Sequence, residues 1–404
     1  KEKAYREEIE RLSLVAKETD NAVVLCRPDG SFIWANEAFR KITGYTLEEF
    51  ARTFGNSLQK ASVSKEIQTL IEQCIASGKP VTYEGQMQTK DGKKRWLQTT
   101  LTPVKDNAGK LKWLIAVDAD ITEIKEAQEK VEEKNKEIID SINYAKRLQQ
   151  AILPSVKLFQ KHLPESFVLF QPKDIVSGDF YWLETGENNN EIYFAAADCT
   201  GHGVPGAMVS VVCNQALTYA LNEMKQKDTG KILDTAREQV IKRFSQSDTD
   251  KSVKDGMDIA LCRLFKDTLK LQWSGANNPL WIVSEHSELN TKAGYRTMEL
   301  NGCYLHEIKG DKQPVGMHAF AAPFTTRNVQ LHKGDTIYVF SDGFQDQFGG
   351  NKAKKFKPKA MKEHLLGIIR LSMEEQHAYL VRIFEEWKGS LEQTDDVTVI
   401  GVRV

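Results

Sequence analysis

The chain reads as a multidomain α+β protein, and three observations carry that prediction. Its 404 residues, 41% of them hydrophobic, exceed what one core usually organises. Residues 125–155 carry helical periodicity without loop signals and separate two blocks of short strand-like runs. In the second block four aspartates, Asp179, Asp198, Asp342 and Asp395 (or its neighbour Asp396), each stand at the edge of an apolar run although they lie far apart in sequence.

The first block opens with a charged helical lead, KEKAYREEIERL, over residues 1–12. AVVLCRPDGSFIWAN then supplies two strand-like runs about Pro28-Asp29-Gly30, a hairpin turn signal. EAFRKITGYTLEEF reads as short helices, and residues 81–122 as three further strands with turns at Asp91-Gly92 and Asn107-Ala108-Gly109. On Asn36, Gly44-Tyr45, Trp96, Pro103 and Asp120-Ile121-Thr122, residues 13–124 resemble a PAS sensor domain. The resemblance implies an antiparallel five-stranded sheet with helices that holds a ligand or serves dimerisation. No histidine precedes His162, so an axial haem histidine is absent from this block. FGNSLQK lacks the reactive cysteine of a flavin-adduct photosensor. An unknown small ligand, or none, is the expectation.

Residues 125–155 are expected to form a helical coiled-coil linker, with Asp120 as N-cap and Pro154 near the end. Ile124, Val131, Ile138, Ala145 and Ile152 recur every seven residues, whereas the intervening seam positions Gln128, Asn135, Ile142 and Gln149 are mostly polar. A parallel homodimer is preferred over a single amphipathic helix packed on its own domain.

Fifty-five basic residues against fifty-six acidic ones create no global field for nucleic acid or an anionic membrane. No apolar run of membrane-spanning length and no secretory signal are read from the sequence. Cys26, Cys74, Cys199, Cys213, Cys262 and Cys303 are scattered without a C-x-x-C pair, so free thiols and a reducing, cytoplasmic setting are expected.

In the second block, each strand-like run delivers an aspartate to its end. Carboxylates gathered in this way repel one another and raise each other's pKa unless divalent cations lie among them. Oxygen ligands suit hard ions such as manganese or magnesium. The ordered set Gly178-Asp179, Asp198-Cys-Thr-Gly-His-Gly, Ser341-Asp342-Gly343 and Asp395-Asp396-Val-Thr resembles the SpoIIE-type branch of the PPM metal-dependent serine/threonine protein phosphatases, over a domain expected at residues 156–404. The resemblance implies an α/β/β/α sandwich with two metal ions in a cleft at one end. It implies that Asp198 bridges both ions, aided by the backbone carbonyl of Cys199, where the family often has glycine. Asp342 and Asp395 complete one site, Asp179 serves the other directly or through water, and Asp198 and Asp342 are the catalytic pair. The implied reaction is in-line attack by a metal-activated water on phosphoserine or phosphothreonine of a partner protein, in bacteria an anti-sigma-factor antagonist.

Other features carry less. Gly201-His-Gly203-Val-Pro-Gly206 matches G-x-G-x-x-G, but a second helical stretch follows where a dinucleotide fold needs a strand, so the glycines read as a tight turn with Pro205 in the first helical turn. His202 is a candidate for proton transfer, Lys173 for phosphate contact and Asp258 for a further acidic group at the metals; the bland reading of each is a solvated or strand-start residue. WSGANNPLWIV reads as strand, turn and strand near the cleft, and the basic run at residues 351–362 as a solvated loop. The alternatives to a protein phosphatase are a small phosphate-ester hydrolase and a metal-poor scaffold that binds a signalling partner.

Overall fold

The computed structural model describes residues 17–186, 189–245 and 255–404, and the charged lead of residues 1–12 lies outside them. The chain divides into two compact units between Glu137 and Ile138.

The first unit is built on β1 (Ala22–Cys26), β2 (Phe32–Ala35), β3 (Val81–Gln88), β4 (Lys94–Lys105) and β5 (Leu111–Asp120), an antiparallel sheet in the order β2-β1-β5-β4-β3. Between β2 and β3 run α1 (Glu37–Thr43), α2 (Leu47–Phe54), α3 (Leu58–Ala61) and α4 (Ile67–Ser77). Asn36 starts α1 by accepting from Phe39 N at 3.1 Å, and Thr46 with Glu49 forms a capping box on α2. Alternate residues of the central strands, Val24, Leu97, Leu101, Leu114 and Ala116, pack against Phe39, Phe50 and Ile71 of the helices. That alternation is what strands with one buried face require.

Helix α5 (Thr122–Ile152) begins one residue later than an Asp120 cap would start it, and Asp120 is not its N-cap. The first helical carbonyl is that of Ile121, which accepts from Lys125 N at 2.9 Å. Asp120 ends β5, accepts from Thr122 N at 3.0 Å and pairs with Arg95. Ile124, Val131 and Ile138 of the heptad are exposed, whereas the polar seam residue Gln149 is buried.

The second unit adds α6 (Val156–His162) and two antiparallel sheets. One contains β7 (Phe180–Thr185), β8 (Glu191–Cys199), β9 (Gly256–Phe265), β10 (Lys270–Ala276), β12 (Asn290–Thr291), β15 (Val315–Gly316) and β16 (Arg327–Gln330); the other contains β6 (Ser166–Gln171), β11 (Leu280–Ser284), β13 (Arg296–Leu300), β14 (Cys303–Ile308), β17 (Thr336–Phe340) and β20 (Val397–Arg403). Phe194, Cys262, Trp273, Ile282, Ile337 and Ile400 fill the space between them. Helices α7 (Gly203–Thr218) and α8 (Thr229–Phe244) cover the outer face of the first sheet. Outside the second lie α9 (Gly343–Asp346), the hairpin of β18 (Phe348–Gly349) and β19 (Lys354–Lys355), α10 (Pro358–Gly367) and α11 (Met373–Lys388). The layering is α/β/β/α.

Two expectations need revision and a third gains detail. By length and composition Gly203–Glu223, α7 plus a π-helical turn, is apolar enough to cross a membrane; it is hydrophobic because Val209, Cys213, Ala216 and Leu217 pack into the core beneath it. WSGANNPLWIV forms the expected strand, turn and strand, but β10 and β11 belong to different sheets, and Asn277 makes the corner between them at φ 57°. The basic run is partly ordered by ion pairs, Lys355 to Asp346 at 2.7 Å and Lys362 to Glu307 at 3.1 Å.

Candidate active site

Asp198 lies at the end of β8, and its register partner on β9 is Asp258. Like charges directly opposite in a sheet are destabilising, so the pairing is costly as it stands. After Cys199 the chain turns at Gly201, whose carbonyl is enclosed by two glycines. A Cβ on Gly178 would lie 2.3 Å from Gly201 O and one on Gly206 2.1 Å from it. The glycines of the G-x-G-x-x-G match therefore let the segment carrying Asp179 approach the turn that follows Asp198, and α7 leads into α8 rather than into a second parallel strand.

Asp198, Cys199, His202, Asp258 and Asp395 line a cleft of about 240 Å³. Burial, then the charges of Asp179, Asp342, Asp395 and Asp258, push the Asp198 carboxyl up to about 10. Asp342 follows β17 at the start of α9; burial and Asp346, Asp395 and Asp258 raise it to about 6, with Lys355 offsetting part of the effect. Burial raises Asp258 too, while the Asn277 amide donating at 2.8 Å opposes the shift. No lysine or arginine is among the described residues lining the cleft. Among the described residues no three His, Cys, Asp or Glu side chains converge to hold an ion by themselves. The donor chemistry nonetheless fits hard dications, which take backbone carbonyls and waters together with a few carboxylates.

Asp395 and Asp396 have different environments. Asp395 faces the cleft, whereas buried Asp396 accepts from Lys173 N and Gly178 N, each at 2.7 Å. Asp179 is fully enclosed and does not line the cleft. Its carboxylate accepts from the Ser341 hydroxyl and from Thr398 Oγ1 at 2.8 Å, and burial raises its pKa well above the carboxylate range. His202 Nδ1 lies 3.0 Å from Asp174 Oδ2, and the backbone N–H of Lys173 donates to Asp396 Oδ1.

Sequence reading passes over several supporting residues. Ser341 and Thr398 stand inside the quoted aspartate motifs, so their signal is present though unspecific. Gln149 is harder to see. Its amide donates to Ser177 O at 2.5 Å and Ser210 Oγ at 3.0 Å, and its carbonyl accepts from Ser177 N at 3.1 Å. Ser177 Oγ in turn accepts from Asp179 N at 3.0 Å. A helix residue thus holds the backbone just ahead of Asp179.

Comparison with known proteins adds to this geometry. A family model described as Stage II sporulation protein E (SpoIIE) matches residues 188–404, which include Asp198, Asp258, Asp342 and Asp395, and a PAS domain model matches residues 20–123. Phototropin-2 of Oryza sativa subsp. japonica is 32% identical over 93 residues, 23% of this chain, and the match spans only 10% of that relative's length. The SiaA-PP2C domain of Pseudomonas aeruginosa is 28% identical with a TM-score of 0.56, covering 67% of this chain and 98% of that one. The PP2C phosphatase domain of SpoIIE from Bacillus subtilis, with a fragment of its regulatory domain, is 20% identical at a TM-score of 0.43, covering 59% and 62%. With more than half of its residues matched, the chain belongs to the SpoIIE family of PP2C-type phosphatases and carries a PAS domain ahead of the phosphatase fold.

Proposed function

We propose that the C-terminal domain, residues 156–404, hydrolyses phosphoserine or phosphothreonine on a partner protein with manganese or magnesium held at the Asp198 cleft. The observation that carries this reading is the Asp198 carboxyl, pushed up to about 10 by burial and neighbouring carboxylates in a cleft with no basic lining residue among those described. Such an arrangement is stable at neutral pH with protons or with cations, and perturbed carboxylates in a cleft are a mark of function. Asp198, the Cys199 carbonyl, Asp342 and Asp395 would hold the ions. Bound dications supply a water of lowered pKa and a clamp for phosphoryl oxygens. Asp179, fastened by Ser341 and Thr398, orients the adjoining loop or reaches an ion through water, and His202 with Asp174 is placed to exchange a proton at the rim. The likeness to the SiaA-PP2C domain supports a phosphatase; an anti-sigma-factor antagonist as substrate rests on the family resemblance alone.

The test is manganese-dependent phosphate release from a phosphoserine peptide by the whole chain and by Asp342→Asn. Turnover is expected in the wild type and a loss of roughly a hundredfold or more in the variant. Preference for a nucleotide or aryl phosphate over phosphopeptide and phosphoprotein would favour a small-ester hydrolase, and absence of both turnover and metal binding a scaffold.

We further propose that the chain is a homodimer whose PAS domain regulates the phosphatase through α5, a reading supported by the exposed Ile124, Val131 and Ile138 at seven-residue spacing. Inserting one to seven residues after Glu132 is expected to change the regulated activity periodically, with the seven-residue insertion restoring it. Activity indifferent to insertion phase would overturn transmission through the helix.

A further inference from the structure

The PAS unit contains a cavity of about 250 Å³ whose walls pair aromatic rings with one carboxylate. Phe32, Phe50, Phe54 and Tyr83 line it, together with Thr99 and Asp118. Asp118 lies on β5, the central strand, two residues beyond Ala116 and four beyond Leu114, so it continues the row whose other members face the core. Its register partner on β4 is Thr99, whose hydroxyl donates to Asp118 Oδ1 at 2.6 Å. A carboxylate at a core-facing position is expensive unless paired. Among the described residues lining the cavity the only basic one is Lys60, and it is exposed.

We propose that this cavity binds a small organic cation, a monocyclic or bicyclic amine, with its ammonium group on Asp118 and its hydrocarbon part among the phenylalanines. The inference concerns the sensor unit and is independent of the phosphatase reading. Two features specify the ligand. Aromatic faces attract cations, most strongly when both partners are removed from water, and a half-buried carboxylate on a cavity wall, without a basic partner, gains from a charged donor. Size sets the upper bound: an apolar cavity of about 150 Å³ takes up benzene, so this one has room for a ring bearing a short amine arm.

Titration supplies a second handle. Burial raises the Asp118 carboxyl to about 6, with Thr99 opposing the shift. The other titratable groups facing it are Cys26 on β1, pushed up to about 12, and Tyr83 on β3, which is also raised; both are neutral near pH 7, and the exposed Lys60 is the one positive charge among the described lining residues. The ligand needs the ionised carboxylate, so affinity is expected to rise as pH rises through about 6. In the empty domain the sign is opposite. Asp118 titrates near 6 when folded and about 4 when unfolded, so its contribution to stability is present at low pH and lost as pH rises through that window. A bound cation offsets the loss.

The experiment uses the whole chain and matched probes, benzylamine against benzyl alcohol and tryptamine against its alcohol analogue, read by calorimetry and ligand-observed NMR. At least one amine is expected to bind at least about tenfold more tightly than its neutral partner, a difference of about 1.4 kcal/mol. Asp118→Asn, which keeps an acceptor for Thr99, is expected to erase that preference, with thermal unfolding run alongside to show that the domain is intact. A pH series on the wild type tests the same contact without any substitution. Equal binding of amine and alcohol, a preference that survives in folded Asp118→Asn, or no amine binding up to about 10 mM would each overturn the proposal.

Discussion

Asp198→Asn is expected to lower metal-dependent phosphate release by roughly a thousandfold or more. The argument starts from charge. Asp198 is the carboxylate on which the fields of Asp179, Asp342, Asp395 and Asp258 converge, and it faces Asp258 directly across β8 and β9. An amide of the same shape keeps the strand pairing and offers one oxygen, but it has no charge to attract a dication. The substitution also separates function from folding. It removes a charge that burial and neighbouring carboxylates disfavour, so the metal-free variant is expected to unfold at least as high as the metal-free wild type. Manganese should raise the unfolding temperature of the wild type by linkage and leave that of Asp198→Asn nearly unchanged. Retained turnover, or an equal metal-induced shift in both proteins, would remove Asp198 from the proposed centre.

Gln149→Ala is expected to leave the domain folded and to lower kcat by about tenfold to a hundredfold. Three hydrogen bonds tie this helix residue to Ser177 and Ser210, at 2.5, 3.0 and 3.1 Å. Truncation leaves buried backbone and hydroxyl groups without those partners, at about 1–3 kcal/mol each. The strain falls on the segment that presents Asp179, since Asp179 N is bonded to Ser177 Oγ. Small displacements of a reactive centre cost rate steeply. The measurement is phosphate release over a manganese titration, together with thermal unfolding. A weaker apparent metal affinity with reduced kcat marks a positioning role. A lowered unfolding temperature with unaltered kcat and metal affinity would reduce Gln149 to a structural contact.

The same residue shows how far sequence reading reaches. Heptad spacing places Gln149 on the seam of α5, and the helix itself is where periodicity puts it, yet the side chain is buried in its own domain because the backbone of Ser177 passes within hydrogen-bonding distance. Periodicity reports which face a residue occupies and is silent about what that face meets. Asp120 illustrates a smaller limit: an aspartate before a helix reads as a cap, but β5 runs on through it and the helix begins one carbonyl later, at Ile121. Asp118 belongs to the same class. In the sequence it is one polar residue in the alternating run LKWLIAVDAD, and only the cavity above the sheet shows that its carboxylate faces aromatic rings.

Apolar alternation, turn glycines, a long helical repeat and the order of the aspartate motifs are local in the chain, so the sequence alone determined the two α+β units, the helix between them and the acidic set. Which oxygens face the cleft was decided only by tertiary structure. Asp395 opens to it while its neighbour Asp396 turns inward to Gly178 N, 218 residues away in sequence, and Asp179 is held by Ser341, just past β17, and by Thr398 of β20. Asp395 and Asp396 lie in the loop that leads into β20, and which of them opens to the cleft and which turns inward is settled when that loop packs against the segment of Lys173 and Gly178.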